Sequence, residues 1–267
     1  AAGLIGNVDL VTNAASGLTV NFGAGSAGTL KVKGSAENPL DVRVKNIAEN
    51  QSLTLEGKLQ TLDTDMAFTS GGSLTLKSGA EYTSARNMAL TAQEDVTLES
   101  GAKLDAENLR LKAGKSVFAA GPLQINGSIA AEGKDVEMKQ KVTAGKDLTM
   151  TAANRLTTVE ELSAANITLT GGDVTTQKKV TAGSNLTMTA ANNLTTADEV
   201  SAANIMLTGG DVTTQKKVNA GNDMTLTANG KLTAAVLQAQ GSIAAAGKDV
   251  EMKQQVIAGK DLTMTGT

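Results

Sequence analysis

The sequence repeats itself with few changes, and this repetition restricts the possible folds more than any other feature. Residues 142–179 and 180–217 are identical at 31 of 38 positions. Each of these long repeats contains two half-repeats, marked by the first apolar residue of each LTMTA-like run. These residues are 19 apart throughout: Ile129, Leu148, Ile167, Leu186, Ile205, Met224, Ile243 and Leu262. A short constant period is typical of a solenoid, in which successive repeats stack on one another.

Each 19-residue unit contains three short runs in which apolar and polar residues alternate. Such runs, separated by Gly, Ala-Asn or Thr-rich corners, indicate strands, and no segment has the long 3.6-residue periodicity of a crossover helix. The sequence therefore predicts an all-β fold, a right-handed parallel β-helix with three short strands per turn of about 19 residues. Successive turns would stack at about 4.8 Å. Leucine-rich repeats are a lesser alternative, since the unit leaves no room for a helix.

The charged residues before the third strand alternate in sign from one turn to the next. In order they are Lys141, Glu161, Lys179, Glu199 and Lys217. In a stacked helix, opposite charges would lie about 4.8 Å apart and like charges about twice as far. This explains why the lysine pairs return in every second half-repeat and not in every one. The alternative, a lysine stripe that binds heparin or acidic lipid, is opposed by the acidic residues between the lysines.

Two other sets of residues recur once per turn. One alternates Met with Leu and Ala, which predicts core filling by a flexible side chain and opposes a thioether metal site. Its members are Met150, Leu169, Met188, Leu207, Leu226, Ala245 and Met264. The other stands at a corner and is rich in Asn and Asp, which suit bent backbone and can hydrogen-bond along a stack. Its members are Asp147, Asn166, Asn185, Asn204, Asp223, Ser242 and Asp261.

The composition excludes several kinds of site. The chain contains neither Cys nor His, so it has no disulfide, no thiolate metal site and no catalytic triad of the Ser-His-Asp or Cys-His type. A cluster of carboxylates could still catalyse the cleavage of a polysaccharide. However, Asp173 and Asp211 recur in the GGDV corner, and Asp135 and Asp249 recur in GKDV, whereas an active site needs one unrepeated cluster. We therefore predict no enzyme and no catalytic, cofactor-binding or metal-binding residues.

The charge and the hydropathy pattern exclude two classes of partner. The net charge is −3 with both signs mixed, which does not suit a nucleic-acid groove. No run of 18 apolar residues is present, so we expect no transmembrane segment. The start of the chain lacks a basic region and a long apolar region, so the chain is expected to be a mature protein or an internal segment.

The pattern weakens toward the N-terminus, which predicts two parts. Residues 53–267 would form the β-helix, most regular over 127–267, and residues 1–52 an irregular β segment with hairpins or irregular turns that caps or binds. Segment 78–88, with the only Tyr, is expected to bulge outward. Apolar spacing assigns the upstream turns to three sets of residues: Leu55, Leu62, Phe68 and Leu74; Leu90, Leu98, Leu104 and Leu109; and Leu109, Val117, Leu123 and Ile129.

Units such as VTAGKDLTMTAANRLTT, LSAANITLTGGDVTT and GSIAAAGKDVEMKQ resemble the haemagglutinin repeats of filamentous-haemagglutinin-like exoproteins. That family includes large adhesins and the filaments of contact-dependent growth inhibition. The resemblance covers about residues 53–267. It implies export by two-partner secretion through an outer-membrane partner and display on a Gram-negative cell. The family's secretion domain carries an NPNL-type motif, and residues 38–40 match it too briefly, so we expect that domain to be absent.

Together these features predict a structural and adhesive β-helical rod of a secreted or surface-displayed exoprotein. Roughly eleven turns from Leu53 onward would span about 50 Å. The rod would present or contain a region that binds a cell-surface receptor, protein or glycan, on a target bacterial or host cell; the receptor-binding residues are unknown. The alternatives are a purely structural stalk without a binding site and a glycan-acting β-helix enzyme.

Overall fold

The computed structural model describes residues 4–5, 8–12, 18–22, 30–33, 42–46, 49–61 and 65–266, and before residue 49 only one side chain, that of Val44. Every helix or strand assigned in these residues is a β-strand. The strands stack in parallel as a β-solenoid of about 11 turns, which confirms the predicted fold class. The chain divides into two compact units, residues 1–134 and 135–267. Residues 38–40 and Leu62 lie outside the described residues.

The strands of the first unit are short, and the last of them runs past its boundary. They are β1 (Leu4–Ile5), β2 (Val8–Thr12), β3 (Leu18–Phe22), β4 (Leu30–Lys33), β5 (Val42–Asn46), β6 (Leu53–Thr61), β7 (Met66–Ser70), β8 (Leu74–Leu76), β9 (Glu81–Ser84), β10 (Asn87–Ala92), β11 (Val96–Leu98), β12 (Lys103–Asp105), β13 (Asn108–Ala113), β14 (Ser116–Ala119), β15 (Leu123–Ile125) and β16 (Ile129–Met138).

The strands of the second unit follow the repeat. They are β17 (Val142–Ala144), β18 (Asp147–Thr158), β19 (Leu162–Ala164), β20 (Asn166–Gly171), β21 (Asp173–Thr176), β22 (Val180–Ala182), β23 (Asn185–Ala190), β24 (Asn193–Thr196), β25 (Val200–Ala202), β26 (Asn204–Gly209), β27 (Asp211–Ala220), β28 (Met224–Ala228), β29 (Lys231–Ala239), β30 (Ile243–Gly247), β31 (Asp249–Met252), β32 (Val256–Ala258) and β33 (Leu262–Gly266). Among the described residues there is no helix of the length and apolarity needed to cross a membrane.

In the second unit the 19-residue period is the stacking period. Leu148 pairs with Ile167, Ile167 pairs with Leu186, and the same step continues without a shift to Leu262. Each strand turns alternate side chains inward, because successive residues of a strand point to opposite faces. Met150 and Met188 are fully buried, which confirms that these methionines fill the core, whereas Met264 in the last turn is 49% exposed. Burying one such side chain contributes about 1.5–3 kcal/mol.

One inward column of the second unit is polar. Thr158, Thr176, Thr196 and Thr214 stack in register and are each at most 1% exposed. Their hydroxyl oxygens have no hydrogen-bond partner among the described residues. A buried hydroxyl without a partner costs free energy, so this column opposes stability where the apolar columns favour it.

In the first unit the turns become shorter along the chain. Equivalent residues pair in the order Val8, Val42, Met66, Met88, Leu109 and Ile129, and the interval in sequence decreases at every step. Two of the described corners contain glycines with positive φ, Gly79 at 80° and Gly101 at 90°. Such a backbone is strained for residues with a Cβ and open to glycine.

The predicted 19-residue register is therefore wrong for the turns that begin at Leu55 and Leu90, whereas the predicted step from Leu109 to Ile129 is correct. Leu90 pairs with Leu111 and not Leu109, and Leu55 pairs with Leu76 and not Leu74. Because side chains alternate with a period of two, a shift by two residues leaves every apolar side chain on the inner face. Apolar spacing alone could not distinguish the two registers.

The hairpins considered for residues 1–52 are also wrong for the strands that the structure describes. The strand at Val8 pairs in parallel with the strand at Val42, and Leu18 pairs in parallel with Leu53, whereas a hairpin joins antiparallel strands. These described strands therefore pair as strands of successive solenoid turns do. The predicted role of residues 1–52 as a cap or a binding extension stays a prediction.

Candidate binding groove

The alternating charges of the second unit form ion pairs along one flank, as the repeat predicts. Lys141 Nζ lies 3.0 Å from Glu161 Oε2, and Lys179 Nζ lies 3.7 Å from Glu199 Oε2. The backbone places Glu161 next to Lys179, since Leu162 N–H donates to the Lys179 carbonyl. Lys141 and Lys179 are thus each opposed by an acid from the next turn, whereas Lys217 pairs along the backbone with Val236, where the alternation of charge ends.

The corner carboxylates considered for catalysis cap turns of the backbone. Asp173 Oδ1 accepts hydrogen bonds from the backbone N–H of Asn193 at 3.1 Å and from its side-chain amide at 2.9 Å. Asp211 Oδ1 accepts from the backbone N–H of Lys231 at 2.7 Å. The glycines of GGDV keep the corner tight, because a Cβ on Gly172 would meet the Asn154 carbonyl oxygen. These two carboxylates therefore have a structural role in the repeated corners.

The other pair of repeated aspartates also lies in this stack. Asp135 lines a shallow depression with Arg155 and Asp173, and Asp249 lies 3.9 Å from Lys231 Nζ. Here too a cation lies beside the acids: Arg155 in the first case and Lys231 in the second. Within the part of the chain that the structure describes, no three His, Cys, Asp or Glu side chains come together as a metal site would require.

A groove in the first unit departs from the repeat. It lies on the outer face of β9, β12 and β15 and has a volume of about 600 Å³. That volume is within the range of about 300–1,000 Å³ found for ligand sites. Its lining is mostly polar: Glu81, Tyr82, Thr83, Lys103, Leu104, Asp105, Pro122, Gln124 and Asn126.

The floor of the groove rests on Tyr82, which corrects the prediction that segment 78–88 bulges outward. Tyr82 is 1% exposed, and its ring centroid lies 5.4 Å from that of Phe68. Its hydroxyl donates to the Glu56 carbonyl at 3.0 Å. Burial, with the nearby charge of Glu56, raises the pKa of Tyr82, so the phenol stays neutral. The ring points inward because it alternates with Glu81 and Thr83 on one strand.

One rim of the groove is held by a double ion pair. Glu81 lies 2.9 Å from Lys58 Nζ and 3.1 Å from Lys103 Nζ, one turn to either side. The hydrogen bonds from Lys58 and Lys103 lower the pKa of Glu81. Two lysines therefore share the Glu81 carboxylate, which already has its partners within the chain.

Three side chains of the groove keep their hydrogen-bonding capacity for a ligand. Asp105, Gln124 and Asn126 are exposed and, within the described residues, make no side-chain hydrogen bond or ion pair. Together they offer a carboxylate, which accepts hydrogen bonds, and two amides, each of which can donate and accept them. Sequence reasoning missed these residues because none of them recurs at the 19-residue period. The sequence signal for the groove was Tyr82, the only tyrosine, which lies where the turns are longer than the 19-residue repeat.

No protein-family profile, curated protein or solved structure matches this chain.

Proposed function

We propose that the chain is a structural and adhesive β-helix of a secreted or surface-displayed bacterial exoprotein, and that the groove of the first unit binds a receptor. The observation that carries this proposal is the contrast between the two units. In the second unit the charged flank and the asparagine ladder pair their side chains from turn to turn, although the threonines do not. In the groove, Asp105, Gln124 and Asn126 lie together without such partners among the described residues.

A β-helix suits this function because it grows by adding turns and places outward side chains at fixed intervals. On such a scaffold, polar side chains that have no intramolecular partner can bind another molecule. The receptor in this proposal is a protein or glycan on a target bacterial or host cell. The proposal includes no catalytic step, since Asp173 and Asp211 cap backbone corners and Asp249 lies against Lys231.

The localisation belongs to the same proposal and rests on the resemblance of the repeats to filamentous-haemagglutinin-like exoproteins. In this view an outer-membrane secretion partner exports the protein from a Gram-negative cell. Surface labelling of the producing cells, with and without such a partner, tests that step. Labelling that does not depend on the partner would contradict it.

Binding of the fluorescently labelled chain to intact cells tests the groove. We expect saturable binding to at least one type of Gram-negative or mammalian cell. A variant with Asp105→Ala, Gln124→Ala and Asn126→Ala should lose most of this binding. A matched variant in the second unit, Gln177→Ala with Asn192→Ala, also removes exposed polar side chains and should bind normally. Equal binding by both variants would contradict the groove, and no binding by any protein would favour a pure stalk.

A further inference from the structure

The second unit carries two parallel columns of threonine on one outer face. In the strand that starts each turn, two successive outward positions are mostly Thr, in a T-x-T pattern. Neighbouring strands pair with these positions side by side, as in Thr168 with Thr187 and Thr170 with Thr189. The first column contains Thr149, Thr168, Thr187, Thr225 and Thr263, and the second contains Thr151, Thr170, Thr189, Thr208, Thr227 and Thr265. We call these eleven residues the threonine face.

The threonine face is accessible and uncharged. Its side chains are exposed or half-buried. Among the described residues, none of its hydroxyls makes a hydrogen bond or other polar contact. The interruptions are also uncharged: Met206, which is 50% exposed, in the fourth strand and two alanines, Ala244 and Ala246, in the sixth. By contrast, the flank with Lys179 and Glu199 pairs its polar groups internally.

The face has a two-dimensional repeat set by the backbone. Neighbouring strands are about 4.8 Å apart, and alternate residues of one strand are about 6.6 Å apart. The pairing continues through all these strands with no register shift. The hydroxyls therefore form a lattice, and a ligand that uses the whole face must itself be periodic.

A side-chain ladder beside the face favours a flat sheet. Asn166, Asn185 and Asn204 are the first residues of the threonine strands β20, β23 and β26, and their amides hydrogen-bond from turn to turn at 2.9–3.2 Å. Sheets of many strands normally twist, and side-chain ladders of this kind are among the features that keep them flat. A flat face can lie against a flat crystal plane over many turns.

We propose that the threonine face binds ice. Ice is a periodic solid whose surface oxygens form a hydrogen-bonded lattice with repeats of a few ångströms, the same scale as the spacings of the face. Each hydroxyl can replace one water in a hydrogen-bonded layer, and each methyl group restricts the orientation of the water beside it. The two columns carry no charge, which matters because an ion would hold its own hydration shell and disrupt the layer. The exposed carboxylates of Asp147, Asp223 and Asp261 stand at the edge of the face, two residues before the first column. This activity does not depend on the receptor-binding function proposed above.

A crystalline polysaccharide is the other periodic solid with a hydrogen-bonding surface. Sugar rings are commonly held by stacking on aromatic rings, and neither column of the threonine face contains an aromatic residue. Ice needs only a matching array of hydroxyl and methyl groups. The threonine face therefore favours ice as its ligand.

The growth of ice grains in an annealed frozen solution of the full chain tests this inference. The wild-type chain should keep the grains small and should shape single crystals, compared with an unrelated protein at equal mass concentration. Thr187→Lys should lose most of this effect. Thr195→Lys, on the neighbouring face in strand β24, is the matched control and should keep it. Met206→Thr fills a gap in the first column and should strengthen the effect.

Circular dichroism of each variant separates a loss of fold from a loss of binding. Ice growth unchanged by the wild-type chain would overturn the inference. Equal effects of Thr187→Lys and Thr195→Lys in folded proteins would overturn it as well. Cosedimentation with crystalline cellulose or chitin, without any effect on ice, would assign the face to a polysaccharide and also overturn it.

Discussion

The side-chain amide of Asn185 donates a hydrogen bond to Asn166 Oδ1, one turn away, at 3.2 Å. The same contact joins Asn204 to Asn185 and Asn166 to Asp147. The ladder begins with an aspartate because its first member only accepts, and a carboxylate needs no donor there. An independent ladder in the first unit has the same order, from Asp65 through Asn87 to Asn108. In both units, each turn thus fixes the register of the next.

Removal of an amide from the middle of this ladder should destabilise the second unit. Asn185→Ala deletes one hydrogen bond on each side, which should lower the free energy of unfolding by about 1–2 kcal/mol. Urea denaturation followed by circular dichroism measures the change. Asn192→Ala is the control, since Asn192 is exposed and, among the described residues, its side chain has no hydrogen-bond partner. Equal stability of the two variants would show that the ladder contributes nothing.

Reversal of one charge in the ion-pair flank should have a smaller effect that depends on salt. Lys179→Glu places a third acid beside Glu161 and Glu199 and should cost about 0.5–1 kcal/mol at low ionic strength. Lys179→Gln removes the attraction without adding repulsion and should cost less. In 1 M NaCl, where the screening length is about 3 Å, the difference between the two variants should largely disappear. A difference that persists in high salt would contradict the electrostatic explanation.

The buried threonine column predicts a substitution that stabilises. Thr176 is fully buried, and its hydroxyl has no partner among the described residues. Thr176→Val keeps the shape and removes the unsatisfied hydroxyl, which should raise the free energy of unfolding by about 1 kcal/mol. Thr175→Val, at the outward position next to it, should change stability little. A loss of stability in Thr176→Val would mean that the hydroxyl is hydrogen-bonded in solution.

The double ion pair in the groove predicts a dependence on pH. Because Lys58 and Lys103 lower the pKa of Glu81 below its ordinary value of 4.5, the carboxylate stabilises the folded chain above that value. This contribution is lost as the pH falls through the lowered pKa. Glu81→Gln should therefore be less stable than the wild-type chain at pH 7 and equally stable near pH 2. Thermal unfolding at both pH values measures the difference, and an equal gap at both would contradict the ionic origin.

The sequence predicted the fold where its period is constant and failed where the period changes. In the second unit the 19-residue repeat aligned Leu148 with Ile167 correctly, along with the charges that flank the strands. In the first unit, the turns are longer than this repeat and change in length at the corners, where glycines such as Gly79 permit unusual backbone. Corner residues carry little apolar pattern, so the register of the neighbouring strands was missed.

The candidate groove was harder to predict for the same reason. Repetition draws attention to residues such as Asp173, which cap corners, and away from single residues such as Asp105. Tyr82 was expected outside because it is alone in a segment of uncertain register. The structure buries its ring against Phe68 and gives its hydroxyl a backbone acceptor. The groove becomes visible only when the long turns of the first unit are stacked.

Distances between spin labels test most directly that the chain rises by one strand spacing with every 19-residue repeat. The chain has no cysteine, so labels can be attached to introduced cysteines alone. Thr149→Cys with Thr225→Cys spans four turns and should give a distance of about 19 Å between label sites. Thr149→Cys with Thr263→Cys spans six turns and should give about 29 Å. Narrow distributions that differ by about two strand spacings are predicted, and equal or broad distributions for the two pairs would contradict the β-solenoid.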